Sequence, residues 1–107
     1  MMPLFSKKSI DEERLEYIKY LKGFTSICDL LVSYAEKTEF LDKMTYLADE
    51  VRYLLPIDKP SIREIDKKIF NCLGDLKILL YTNRDSYRSN GKISELEQLI
   101  DERNTKI

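Results

Sequence analysis

Apolar residues recur along this chain at three- and four-residue steps with polar residues between them, which is the period of an amphipathic α-helix and not the alternation of a strand. The first run places Ile10, Tyr17, Leu21, Phe24, Cys28, Leu31 and Ala35 on one stripe. Ser9 followed by Glu12 supplies a capping-box start, so the spacing predicts a helix over 10–37. Gly23 lies inside it, but the apolar phase is the same on both sides, which favours one continuous helix. Thr38 is the next N-cap signal, ahead of Phe40, Leu41, Met44, Leu47, Ala48, Val51, Leu54 and Leu55, and prolines 56 and 60 end that second helix. Ser61 with Glu64 opens a third, carried by Ile62, Ile65, Ile69, Cys72, Leu73, Leu76, Leu79 and Leu80. It is expected to fade over 83–89, before a stop at Asn90 and Gly91, after which Ser94 and Glu97 start a short fourth helix.

The expected fold is therefore all-α, an antiparallel bundle of three longer helices plus a short C-terminal helix with its tail over 94–107, in a single domain with a flexible segment at 1–8. The core expected from the stripes is Leu21, Phe24, Cys28, Leu31, Met44, Leu47, Val51, Ile65, Ile69, Leu73 and Leu76.

Composition narrows the chemistry. With 107 residues, 43% hydrophobic and 35% charged, the chain has material for one core under a heavily charged surface. Three Gly and three Pro are too few for the turns of a many-stranded sandwich or barrel. The 18 basic and 19 acidic residues nearly cancel, so no broad field draws the chain to nucleic acid or anionic lipid. Its basic groups, Lys7 with Lys8, Lys67 with Lys68, and Arg84 with Arg88, are small, separated and interleaved with acids. No His is present, which removes Ser-His-Asp and Cys-His catalysis and every His metal ligand from the repertoire. Cys28 and Cys72 sit on apolar stripes, where an inert buried thiol is the expectation, and their separation excludes a CxxC motif. The apolar part of MMPLFSKKS is too short for a signal peptide or a membrane span. A cytoplasmic protein without a cofactor is expected, and the frequent Ile, Lys, Tyr and Glu suggest an AT-rich bacterial or phage genome.

Two patterns carry candidate metal chemistry. Glu12, Glu13 and Glu16 followed by Glu39 and Asp42 are similar to the EExxE and ExxD acidic motifs of MazG-like nucleotide pyrophosphohydrolases. That resemblance implies a small all-α enzyme whose carboxylates gather Mg²⁺ to attack a nucleoside triphosphate. Carboxylates three or four apart do share a helix face. A continuous first helix, however, separates Glu16 from Glu39 by on the order of 30 Å at the helical rise, and only a chain reversal at 23–26 would join them. The run 86–97 resembles the second half of an EF-hand calcium loop, with Asn90, Gly91, Ile93 and Glu97 in matching places. Ser86 and Arg88 occupy positions where calcium requires carboxylate oxygen.

The tyrosines direct attention to the surface. Tyr20, Ile27 and Tyr34 recur every seven residues on one shoulder of the first helix, and Phe70, Gly74, Ile78 and Tyr81 form a stripe on the third, set off from its main apolar face. Tyr46 and Tyr53 make a third patch among Asp42, Asp49 and Glu50. Either the fourth helix covers the Phe70 stripe and the Tyr rings edge the bundle, or these residues anchor a partner. The expected function is a non-enzymatic helical protein-binding or self-assembly module, with a homodimer the economical partner. The pyrophosphohydrolase and the degenerate calcium site are the alternatives.

Overall fold

The computed structural model describes residues 10–107, all four of whose regular elements are helices. The segment 1–8, expected to be flexible, lies outside them. Helix α1 spans Ile10–Ala35, and its first turn carries Asp11, Glu12 and Glu13, whose charge complements the positive end of the helix dipole. It runs unbroken through Gly23, as the constant apolar phase requires. Thr38 then works between helices: its hydroxyl donates to the Ala35 carbonyl (2.8 Å) and accepts from the Phe40 N–H (3.1 Å). Helix α2, Leu41–Arg52, is consequently capped at Phe40 and not at Thr38.

Helix α3 spans Pro60–Thr82. Pro60 occupies its first turn, where a fixed φ and a missing N–H are no disadvantage, so Ser61 lies inside the helix and does not cap it. The helix stops at Asn83, whose φ of 47° is the left-handed conformation that Asn tolerates and whose N–H bonds the Leu79 carbonyl. Asp85 immediately starts the next helix by accepting the Arg88 N–H at 3.0 Å. Helix α4 therefore spans Ser86–Thr105, passing straight through Asn90 and Gly91. It has 20 residues, so the short element of the bundle is α2, with 12, and not the C-terminal helix. The expected stop at Asn90 and Gly91 fails because Asn83 has already made it, and because Ser89 and Ile93 bury one side of the helix across that point.

Helix α1 packs on α2 and α3, and α4 packs on α3 and α2; along the diagonals the backbones stay apart, and α1 and α4 meet through the side chains of Tyr17 and Arg103. The α1/α2 pair is antiparallel, joined by Arg52 to Asp29 (3.2 Å), and so is α3/α4, where Cys72 Sγ donates to the Lys92 carbonyl and Asp66 meets Arg103. Tyr20 pairs with Phe70 and, further along, Tyr34 with Tyr81, so α1 and α3 run parallel. Lys43 with Glu97, then Leu55 with Arg103, show that α2 and α4 do the same. The molecule is two antiparallel hairpins laid side by side, and residues 53–59 cross one end of the bundle diagonally. All eleven expected core residues are buried. Leu55, expected on the second stripe, is exposed because α2 has already ended.

Candidate interaction face and buried polar cluster

The parallel packing of α1 and α3 merges two of the expected patches into one face. Tyr20, Ile27 and Tyr34 lie partly buried along α1, packed against the core. Beside them on α3, Phe70 is 48% exposed, Ile78 66% and Tyr81 71%. Edge-to-face and tilted ring contacts tie the two helices together: Tyr20 to Phe70 at 6.1 Å, Phe24 to Phe70 at 6.3 Å, and Tyr34 to Tyr81 at 5.3 Å. Helix α4 packs on α3 but reaches only the edge of this stripe, where Ile78 lines a groove with Gly91 and Lys92, and leaves it exposed, so it is not the cover considered from the sequence. A Cβ placed on Gly74 would meet nothing within 4 Å, so the surface is open at that point.

The third expected patch lies on α2, away from this face. Tyr46 is exposed on α2, its hydroxyl donates to Glu50 Oε1 (2.9 Å), and Lys43 Nζ lies 5.9 Å from its ring centre. The bond to Glu50 and that carboxylate's charge push the phenol pKa above its usual value. Tyr53, at the α2 C-cap seven residues on, is also exposed.

The acidic motif is split by the fold. Glu12, Glu13 and Glu16 belong to the first turns of α1, Glu39 and Asp42 to the far end of the bundle, and the chain makes no reversal at 23–26. Among the described residues no group of three or more His, Cys, Asp or Glu side chains is placed to hold a metal. The calcium-loop resemblance is overturned: residues 86–97 are continuous helix, and a helix cannot wrap a cation as a loop does.

A cluster that the sequence reading missed lies at the end crossed by residues 53–59. Asp66 of α3 and Arg103 of α4 are fully buried and paired, Nε to Oδ1 at 2.7 Å. Arg103 Nη2 also donates to the Leu55 carbonyl (2.8 Å) and to the Tyr17 hydroxyl (3.0 Å), while Tyr17 donates to Asp66 Oδ2 (2.5 Å), with the Ile57 carbonyl a secondary acceptor at 3.2 Å. Burial, and then the Asp66 carboxylate, push the Tyr17 phenol up to about 12. On its outer side the same ring is covered by the Arg63 guanidinium, 4.4 Å from the ring centre. One signal was available: Asp66 interrupts the stripe between Ile62 and Ile69, and Arg103 continues the steps of Leu96, Leu99 and Ile100. Two opposite charges in apolar register on different helices ask for each other.

Both thiols are buried, and burial pushes Cys28 and Cys72 up to about 12. No helix among the described residues is long and apolar enough to cross a membrane. Compared with protein families, with curated proteins and with solved structures, the chain finds no match in any of the three.

Proposed function

We propose that the chain is a non-enzymatic helical interaction module that docks another protein surface on its α1/α3 face, in the cytoplasm of a bacterial or phage-infected cell. The observation that carries this reading is the row of Phe70, Ile78 and Tyr81, three large side chains between 48% and 71% exposed on one side of α3, extended by the tyrosines of α1. Isolated exposed apolar residues are ordinary, but an aromatic-rich row continuous across two helices is the usual composition of a binding core. The buried ion cluster and inert thiols support a rigid scaffold and supply no reactive group at the surface.

A photo-crosslinking residue placed at Ile78 tests the reading in cells that express the chain. Protein adducts should form there and disappear when Phe70→Asp is added, while the same residue at Glu102, on α4, should give few. Equal adduct yields at the two positions would overturn it.

A further inference from the structure

Resting on the interaction-face reading, we infer that the occupant of the α1/α3 face is a second copy of this chain, docked antiparallel about a two-fold axis near the level of Gly23 and Gly74. Charge is distributed along the face with opposite sign at its two ends. Glu12, Glu13 and Glu16 lie on this side of the first turns of α1, whereas Lys37 follows its end, Arg84 follows the end of α3, and Lys77 lines the groove between Tyr34 and Tyr81. At the acidic end Arg63 is engaged by Asp58 at 3.5 Å, and Lys19 and Lys67 offset part, but not all, of the charge. Turning one copy end over end sets each acidic end against the other copy's basic end, and a parallel arrangement would set like against like. The middle of the face carries Tyr20, Ile27, Phe70 and Ile78, and the acid bordering Ile78, Asp75, is paired with Lys92 at 3.1 Å, so the two-fold brings apolar surface onto apolar surface.

Three further features fit this occupant. Helices α1 and α3 run parallel, so their dipoles reinforce each other, and an antiparallel pair from a second copy opposes them. Gly23 and Gly74 lie at about mid-height in their helices, and with no atom within 4 Å of a built Cβ they add no bulk where the two copies would meet. From Glu13 to the end of α1 the face is about 33 Å long and two helix diameters wide, roughly 650 Å², estimated from standard helix dimensions. That approaches the ~800 Å² per partner of a standard specific interface.

Sedimentation velocity of the full chain at rising concentration should report a reversible monomer–dimer equilibrium that weakens as salt is raised. Ile78→Asp should shift it to monomer, while its melting temperature should equal that of the unsubstituted chain at dilutions where both are monomeric. Glu13→Lys and Lys37→Glu should each weaken the dimer at least tenfold, and an equimolar mixture of the two variants should regain it as a heterodimer, because both cross-copy contacts are then restored. A dimer indifferent to Ile78→Asp, or a mixture no tighter than its components, would overturn the inference. A chain that stays monomeric while its Ile78 position still forms adducts with other proteins overturns the second copy and leaves the interaction face standing.

Discussion

Tyr17 has one proton and sits between a buried carboxylate and a buried guanidinium, which makes it the most informative single side chain in the molecule. Folded, it keeps that proton to about pH 12; unfolded, it releases it near the ordinary value of 10.0. Above pH 10 the unfolded chain thus binds fewer protons than the folded one, and stability falls as pH rises from 10 to 12. The buried thiols act in the same sense from about pH 9, their ordinary value being 9.0 against about 12 in the fold. Urea unfolding at a series of alkaline pH values should show this decline, and Tyr17→Phe should flatten its upper part. At neutral pH the same variant should lower stability by about 1–3 kcal/mol, since Asp66 loses a buried donor. In the native state both cysteines should react with a thiol reagent only at the rate of global opening. Leu31→Ala, at a fully buried position, should cost about 2–5 kcal/mol. The core was legible in the sequence because apolar period alone specifies it; the ion cluster was not, because a mixed-charge surface offers many candidate Asp and Arg residues and periodicity scores each as polar.

Helix ends depend on which of several competing signals is used first. Asn83 and Asp85 together stop one helix and start the next within three residues, which leaves Asn90, Gly91 and Ser94 with nothing to terminate or cap. Those later residues carry the same stop and cap chemistry, and so mimic both a helix boundary and a calcium loop. Asp85→Ala should cost about 1 kcal/mol through loss of the bond to the Arg88 N–H. Gly91→Ala, with open space around the added methyl, should raise stability by about 0.5–1 kcal/mol, as expected for an exposed helix interior. Thermal melts followed by circular dichroism would check both. If 90 and 91 formed a true break, the second change would destabilise. The face on α1 and α3 was legible as two separate stripes, since each obeys helical spacing; their union was not, because spacing within a helix says nothing about which helix lies alongside.

The ion cluster joins the two hairpins. Asp66 and Arg103 belong to the second, Tyr17 to the first, and Leu55 to the crossing segment. Arg103→Met should cost about 3–5 kcal/mol by stranding Asp66, and adding Asp66→Leu should recover much of the loss, because an apolar pair no longer has to be desolvated with charge. Chemical denaturation of the two single variants and the double one would measure the coupling. Additive losses would mean that the pair acts as two independent charges.

The diagonal crossing has a consequence in time as well as in energy. Each hairpin pairs helices that are neighbours in sequence, whereas the bonds from Tyr17 to Asp66 and from Arg103 to Leu55 close loops of 49 and 48 residues. Loops of that size close late, after local helix pairs exist, so the clasp across residues 53–59 should be absent from the folding transition state. Removing it by Tyr17→Phe should leave the refolding arm of a chevron plot almost unchanged and steepen the loss on the other side, with unfolding about tenfold faster for each 1.4 kcal/mol removed. Residues 53–59 thus act as a latch on lifetime: they set how long a folded molecule persists, and the hairpins set how quickly it forms.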